Sequence, residues 1–220
     1  MSGTIFVINP NSTEAVTAGI DKAVELLRSS DGPAIECLTL VEGPPGIQSQ
    51  RDVDGVIGPL LKRAAGLENE AAAFVVACFS DPGMHALREQ SRRPVLGIAE
   101  SGVLQALTLG QRFGVIAILP TSIPRHLRYF GAMGVMARFA GDLSIGMGVT
   151  ELSNEEKTLE RMTATGRALR DVHHADVVVM GCAGMARFRR PLEEALGIPV
   201  VEPTQAATAM AVGRVRLAAA

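Results

Sequence analysis

AAAFVVACFSDPG (residues 71–83) joins an apolar, strand-like run to a cysteine, Cys78, and to a turn that contains glycine. DVVVMGCAGM (176–185) repeats this arrangement, with its cysteine 104 residues later in the chain. A second pair of segments, RRPVLGI (92–98) and GIPVVEP (197–203), recurs with its prolines 105 residues apart. The sequence therefore predicts two copies of one structural unit, each with a thiol at the carboxyl end of a strand.

Strand-like and helical patterns alternate through both units. In the first unit, strands are predicted at 4–8, 34–40, 74–78 and 95–98, and helices at 16–27, 53–64 and from 82. In the second unit, strands are predicted at 113–119, 136–140, 176–181 and 200–201, and helices at 100–109, 124–133 and from 153, 191 and 203. Because the strands are nearly continuous apolar runs, we predict parallel sheets covered by helices on both faces.

The expected fold class is α/β, with two pseudo-symmetric three-layer lobes. Each lobe is predicted to contain a four-stranded, mostly parallel sheet flanked by helices. The first lobe is predicted to span residues 1–98 and the second lobe 99–203. The C-terminal helix, 204–220, is expected to pack back on the first lobe.

The bulk composition excludes several classes of protein. The chain has 220 residues, of which 47% are hydrophobic, and a net charge of −2, and it has no long basic tract that could follow a phosphate backbone. Its longest apolar run, 71–79, is too short to span a membrane, and no signal-type segment precedes the first strand. We expect a cytoplasmic protein without a nucleic-acid or membrane partner, and its three cysteines are expected to be reduced.

Helix starts are predicted from local capping signals. Asn11 or Ser12 is expected to cap the first helix, and SNEE (153–156) has the spacing of a capping box. Asp81 and Pro82 are expected to be the N-cap and the first residue of the helix that follows the first repeated cysteine.

Two thiols at equivalent strand ends can perform acid and base catalysis. Cys78 and Cys182 precede turns whose backbone N–H groups can lower a thiol pKa, and we expect that effect here. If the units face each other across a cleft, one thiolate removes a proton from a carbon next to a carbonyl while the opposite thiol protonates its other face. Either cysteine alone would be an ordinary core residue, but the paired position favours catalysis. Cys37 has no counterpart in the second unit and is predicted to be structural.

Three segments, VINPNST (7–13), ACFSDPG (77–83) and GCAGMA (181–186), resemble the signature segments of the Asp/Glu/hydantoin racemase superfamily. They are most similar to those of its hydantoin and allantoin racemase branch, and the resemblance spans essentially the whole chain. It implies two pseudo-symmetric α/β halves with the active site between them, a homo-oligomer, a small-molecule substrate, and no metal or organic cofactor.

The resemblance also implies roles for individual residues. Cys78 and Cys182 would be the acid/base thiols, and Asn9 and Asn11 lie on the amino-terminal loop that borders the substrate in this family. The turns after the cysteines bind the carbonyl oxygens of the substrate. On these turns the predicted substrate-binding residues are Phe79, Ser80, Ala183 and Gly184.

The sequence departs from the family pattern at three places. Many hydantoin racemases carry a Val-Thr-Thr type segment where this chain reads AILPTSIPRH (117–126), and Thr121, or alternatively Ser122, is predicted to fill the same role. Asn9-Pro10-Asn11 and Cys78-Phe79-Ser80 differ from the Asp-Ser-Gly and Cys-Asn-Thr types of amino-acid racemases. These differences favour a neutral ring, a 5-substituted hydantoin or allantoin, over free aspartate or glutamate.

Other functions stay open at this point. Arylmalonate decarboxylases on this scaffold retain only the second thiol, so Cys78 argues against that activity. Maleate-type cis-trans isomerases keep both thiols and are an alternative, as are the Asp/Glu racemases. The alternative from a different class is a non-catalytic, two-lobed protein that binds a small molecule, although such a protein needs no paired thiols.

Three further residues and one pair of adjacent histidines carry polar side chains with no assigned role. For His85, His126 and Arg187, the sequence leaves open whether the side chain borders the cleft or lies in solvent. His173 and His174 are adjacent, so on a helix their side chains point in different directions, and we predict no metal site there.

Overall fold

A computed structural model of the chain describes residues 3–219. Strands and α-helices alternate throughout this range, and none of these helices has both the length and the apolar character needed to cross a membrane. The strands are β1 (Thr4–Asn9), β2 (Ala34–Thr39), β3 (Ala71–Val76), β4 (Val95–Gly97), β5 (Phe113–Ala117), β6 (Phe139–Ser144), β7 (Val177–Met180) and β8 (Val200–Val201). The helices are α1 (Glu14–Val24), α2 (Gln50–Gly55), α3 (Ile57–Leu67), α4 (Met84–Gln90), α5 (Ile98–Leu109), α6 (Ile123–Met133), α7 (Glu155–Asp171), α8 (Arg189–Leu196) and α9 (Pro203–Ala219).

The strands form two four-stranded sheets, with the strand orders β2-β1-β3-β4 and β6-β5-β7-β8. Every neighbouring pair of strands in these sheets is parallel. The second sheet repeats the order of the first, so the fold has the internal pseudo-symmetry that the repeated segments indicate. The predicted α/β fold, with two four-stranded parallel sheets flanked by helices, is confirmed.

Side chains of the central strands alternate between two core regions, because successive residues of a strand point to opposite faces. In β1, Ile5 and Val7 belong to a core that both lobes share, whereas Phe6 and Ile8 belong to an outer core of the first lobe. Strands β5 and β7 alternate in the same way between the shared core and an outer core of the second lobe. Apolar burial in the shared core therefore holds the two sheets at a fixed distance and orientation.

The C-terminal helix α9 lies against elements of the first lobe. It contacts β1, β3 and β4 as well as α1 and α5, and the Gln205 side chain donates a hydrogen bond to the carbonyl oxygen of Ala23 at 2.9 Å. Because α5 lies almost entirely in the predicted second lobe, α9 contacts both lobes, and its assignment to the first lobe stays a prediction. We retain 1–98 and 99–203 as the proposed limits of the lobes.

Two predicted elements differ from the structure. The helix predicted at 53–64 is interrupted at Val56, because Pro59 has no N–H to donate to the carbonyl of Gly55, four residues earlier. The strand predicted at 136–140 lies at β6 instead, where pairing with β5 rather than local propensity fixes its position.

Two predicted helix caps are also wrong. Helix α1 begins after Thr13, and Asn11 accepts a hydrogen bond from the N–H of Thr13 at 2.9 Å instead of capping the helix. Helix α7 is capped by Asn154, one residue after the predicted Ser153, and the Asn154 side chain accepts from the N–H of Lys157 at 3.3 Å. The predicted box at 153–156 does not form, because a lysine side chain has no acceptor to return the second hydrogen bond.

Candidate active site

The two repeated cysteines occupy equivalent places in the two sheets. Cys78 lies two residues after the end of β3, and Cys182 lies two residues after the end of β7. Both side chains are partly buried, and both line a cavity of about 30 Å³ to which residues of the two lobes contribute. Cys37, within β2, is not among the residues that line this cavity. The structure thus brings the two predicted thiols to one space, which we call the thiol cavity.

Burial controls the ionisation of both thiols. It raises the pKa of Cys182 to about 11, and it raises the pKa of Cys78 even more strongly. The backbone N–H groups of Gly184 and Ser80 lower the pKa of Cys182 and Cys78 only in part. The expected net lowering by the turns is therefore wrong, because desolvation of a thiolate outweighs the effect of these dipoles. A negative charge on Cys182 raises the pKa of Cys78 further.

The two asparagines of the amino-terminal loop have different positions. Asn11 lines the thiol cavity, whereas Asn9, at the end of β1, is fully buried and does not. The Nδ2 of Asn9 donates to Asn11 Oδ1 and to Thr17 Oγ1, each at 3.0 Å, and its Oδ1 accepts from the N–H of Asn11 at 3.3 Å. Asn9 therefore positions Asn11 and is not placed for direct contact with a substrate.

The turns after the cysteines form much of the cavity wall. Phe79, Ser80, Ala183 and Gly184 all line the cavity. The backbone N–H groups of Ser80 and Gly184 lie next to the thiols that they influence. The N–H of Ser80 also donates to the carbonyl oxygen of Cys78 at 2.8 Å, so it is engaged within its own turn. The N–H of Gly184 is the donor placed to bind an oxyanion that forms beside the thiols.

Thr121 does not reach the thiol cavity. It is exposed in the 3₁₀ turn Pro120–Ser122, and its Oγ1 lies 3.5 Å from the carbonyl oxygen of Gln48. Ser122 is 2% exposed and lines the cavity. Of the two alternatives that the sequence offers, Ser122 and not Thr121 therefore faces the cavity, because the turn directs these consecutive side chains to different sides.

Helix α6 contributes two residues to the cavity, Arg125 and His126. His126 is buried, and its Nδ1 lies 2.7 Å from Asp142 Oδ2. This contact fixes the orientation of the imidazole ring and leaves Nε2 as the ring nitrogen that is available to a group in the cavity. Arg125 was not among the residues predicted to line the site. A signal for His126 exists in the sequence, since it lies one helical turn from the buried Phe130 and therefore shares its face.

Asp81 is predicted to cap the helix that follows the first thiol, but this prediction is wrong. That helix, α4, begins three residues after Asp81. Asp81 has a φ of 42°, and its carboxylate accepts from the N–H groups of Ala99 and Glu100 at 2.9 Å each and from the Tyr129 hydroxyl at 2.6 Å. A Cβ at position 97 would lie 2.1 Å from Asp81 Cγ, so Gly97 makes room for this carboxylate. Burial raises the pKa of Asp81 to about 6, although the three donors act in the opposite direction.

The remaining polar candidates lie outside the thiol cavity. His85 is exposed on α4. Arg187 is exposed, donates to the carbonyl of Leu152 at 2.6 Å and pairs with Glu155 at 3.1 Å, so its charge has a partner. Between residues 3 and 219, no three side chains of His, Cys, Asp or Glu are grouped so as to hold a metal ion.

Comparison with known families places this site in context. The family model for Asp/Glu/Hydantoin racemase matches residues 5–211. The chain belongs to this family. It is 37% identical over 203 residues to the hydantoin racemase of Pseudomonas sp. (strain NS671), an alignment that covers 90% of this chain and 80% of that protein. Membership makes the chain an isomerase of the racemase class.

Two solved structures share its fold over nearly the full length. The allantoin racemase from Klebsiella pneumoniae is 30% identical, with a TM-score of 0.88 and coverage of 99% of this chain and 89% of that chain. The allantoin racemase from Pseudomonas fluorescens is 25% identical, with a TM-score of 0.90 and coverage of 98% and 92%.

Proposed function

We propose that the chain is a cofactor-independent racemase or epimerase that inverts a carbon acidified by an adjacent carbonyl group. Cys78 and Cys182 are the opposed acid and base. The observation that carries this proposal is their shared cavity: one thiol from each repeat lines it, together with the turns of Ser80 and Gly184. A protein that only binds a small molecule has no need for thiols at both equivalent strand ends.

In one direction, the Cys182 thiolate removes the proton from the substrate carbon. The electron pair of the broken C–H bond moves into the neighbouring carbonyl group, and the backbone N–H of Gly184 donates to the resulting oxyanion. The Cys78 thiol then protonates the opposite face of the carbon. The product is the mirror-image centre, with Cys78 as the thiolate and Cys182 as the thiol. The reverse reaction uses the same groups in exchanged roles.

The substrate that we propose is a 5-substituted hydantoin or allantoin. Relatives that match nearly the whole chain are named for these compounds. The cavity also offers polar side chains without a formal negative charge, those of Asn11, Ser122 and His126, which suit the carbonyl and N–H groups of a neutral ring.

A polarimetric and deuterium-exchange screen over allantoin, several 5-substituted hydantoins, aspartate and glutamate, with NMR detection of fumarate formed from the achiral maleate, tests this function. We expect loss of optical rotation with allantoin or a hydantoin, and unchanged activity in EDTA. General acid and base catalysis typically contributes 10²- to 10⁴-fold, so Cys78→Ala and Cys182→Ala should each reduce the rate by about that factor. Cys37→Ala, which removes a thiol from β2 outside the cavity, is the matched control and should retain the rate.

The same screen separates the alternatives. Isomerisation of maleate alone, or racemisation of aspartate or glutamate alone, would replace the proposed substrate class. Full turnover by both cysteine variants would refute the two-thiol mechanism. Binding of a hydantoin without any isotope exchange or racemisation would favour a non-catalytic binding protein.

A further inference from the structure

A second pocket, of about 280 Å³, adjoins the thiol cavity. Phe79, Ser80, Arg125 and His126 line both spaces, so the two share a wall at these residues. A smaller pocket of about 100 Å³ adjoins the thiol cavity on the side of Ala183 and Gly184, so the pocket of about 280 Å³ is the larger of two neighbouring spaces for a group attached to the reacting carbon. The wall of the larger pocket is mainly apolar and includes Val53, Ala99, Phe130 and Ala132, while Gln50, Arg128 and Tyr129 also line it.

Two arginines in this pocket lack an anionic partner. Arg125 donates to the carbonyl of Thr121 at 2.9 Å and to Ser122 Oγ at 3.3 Å, and its buried Nε has no hydrogen-bond partner. Arg128 donates to Gln50 Oε1 at 2.8 Å. Among the described residues, no carboxylate lies within 4.0 Å of either guanidinium group.

Nearby acidic groups do not neutralise these arginines directly. Asp52 attracts Arg125 electrostatically but makes no ion pair with it. Asp81, next to the pocket wall, is occupied by the hydroxyl of Tyr129 and by two backbone N–H groups of α5. The pocket thus keeps a net positive charge against an apolar wall, where an anion would be desolvated and bound strongly.

We propose that this pocket, which we call the arginine pocket, receives the C5 substituent of the substrate and selects one that carries a carboxylate. The inference rests on the proposed racemase function and adds the charge of the substituent to it. A guanidinium group presents paired N–H donors that match the two oxygens of a carboxylate, which distinguishes it from a simple point charge.

The test uses two hydantoins of matched size, 5-(2-carboxyethyl)hydantoin and its neutral amide, 5-(2-carbamoylethyl)hydantoin. We expect kcat/KM of the unmodified enzyme to be about tenfold or more higher for the carboxylate, because a charged hydrogen bond contributes roughly one factor of ten or more. Arg125→Gln should remove most of this preference, and Arg125→Lys should restore part of it. Arg128→Gln should also reduce the ratio of kcat/KM for the carboxylate to that for the amide. Because Arg128 is exposed, this substitution is not expected to disturb folding.

Arg190→Gln is the matched control, since it removes one positive charge from an exposed site on α8 away from the pocket. It should leave the ratio of the two substrates unchanged. Equal turnover of carboxylate and amide by the unmodified enzyme, or an unchanged ratio in both Arg125→Gln and Arg128→Gln, would overturn the proposal.

The affinity of the Cys182→Ser variant, which lacks one of the two thiols needed for racemisation, is measured by calorimetry for both compounds and separates this inference from the proposed function. If neither compound is racemised, the proposed reaction on hydantoins fails. Tighter binding of the carboxylate, lost in Cys182→Ser/Arg125→Gln, would still support the arginine pocket, and equal affinities would refute it.

Discussion

At the scale of single residues, Cys78 and Cys182 lie in an environment that keeps both thiols protonated near neutral pH. Burial raises the pKa of each thiol, and the charge of one thiolate opposes ionisation of the other. The two groups therefore lose one proton between them as the pH rises, and the second proton leaves only at much higher pH. The form with one thiolate and one thiol is the form that the two-base reaction needs.

This ionisation predicts a rising pH profile. With the pKa of Cys182 near 11, the fraction of enzyme that carries one thiolate increases about tenfold for each pH unit below that value. We expect kcat/KM to rise by nearly that factor per unit between pH 7 and pH 9. Initial rates from polarimetry, corrected for spontaneous racemisation without enzyme, measure this profile. A plateau that begins below pH 8 would show that the thiols ionise more easily than burial allows.

At the scale of elements, the ends of β3 and β7 determine where the thiols lie. Gly181, between β7 and Cys182, donates its N–H to the carbonyl of Ile116 at 2.9 Å. A Cβ at this position would lie 2.7 Å from Ile116 O and 3.3 Å from the Cα of Ala117. The strands therefore approach each other too closely here for any side chain.

Gly181→Ala should push the end of β7 away from β5 and displace Cys182. We expect the free energy of unfolding to fall by about 1–3 kcal/mol, as for other overpacked sites, and kcat to fall as well. The control is Gly213→Ala in α9, where a Cβ would meet no atom within 4 Å. This substitution should stabilise the helix by about 0.5–1 kcal/mol. Urea denaturation and initial rates measure both effects. A fully stable and active Gly181→Ala variant would contradict the close approach.

The elements also show which parts of the site follow from sequence. The apolar runs of β3 and β7 and the thiols behind them are local patterns, so their place at the sheet edges is predictable. The role of Asp81 is not, because its backbone partners lie 18 and 19 residues further along and meet it only through packing. Similarly, helical spacing places His126 on a buried face of α6, but only the tertiary packing shows that this face and Arg125 meet the thiol cavity.

At the scale of the whole molecule, the distance between the thiols depends on how the two lobes are held together. The shared apolar core gives most of this contact. Asp81 adds a polar link, because it follows β3 of the first lobe and accepts hydrogen bonds from the start of α5 and from Tyr129 on α6. It therefore joins the loop of the first thiol to the second half of the chain.

Asp81→Ala should destabilise the protein by about 2–4 kcal/mol. It removes the acceptor of two backbone N–H groups at the start of α5 and of the Tyr129 hydroxyl. Urea denaturation checks this value. Glu42→Ala, at an exposed position without a hydrogen-bonded side chain among the described residues, serves as the control and should change stability by no more than about 0.5 kcal/mol. If Asp81→Ala costs as little as the control, the carboxylate does not link the lobes.

The central claim is that the two sulfur atoms address opposite faces of one carbon, and isotope exchange with separate enantiomers tests it most directly. Cys78→Ser and Cys182→Ser each retain one thiol, and each variant is incubated in deuterium oxide with the pure D- or L-form of a substrate while NMR follows the signal of the C5 proton. We predict that each variant exchanges the proton of only one enantiomer, that the two variants select opposite enantiomers, and that Cys37→Ser exchanges both. Exchange of the same enantiomer by both variants, or racemisation by either at the unmodified rate, would contradict the account.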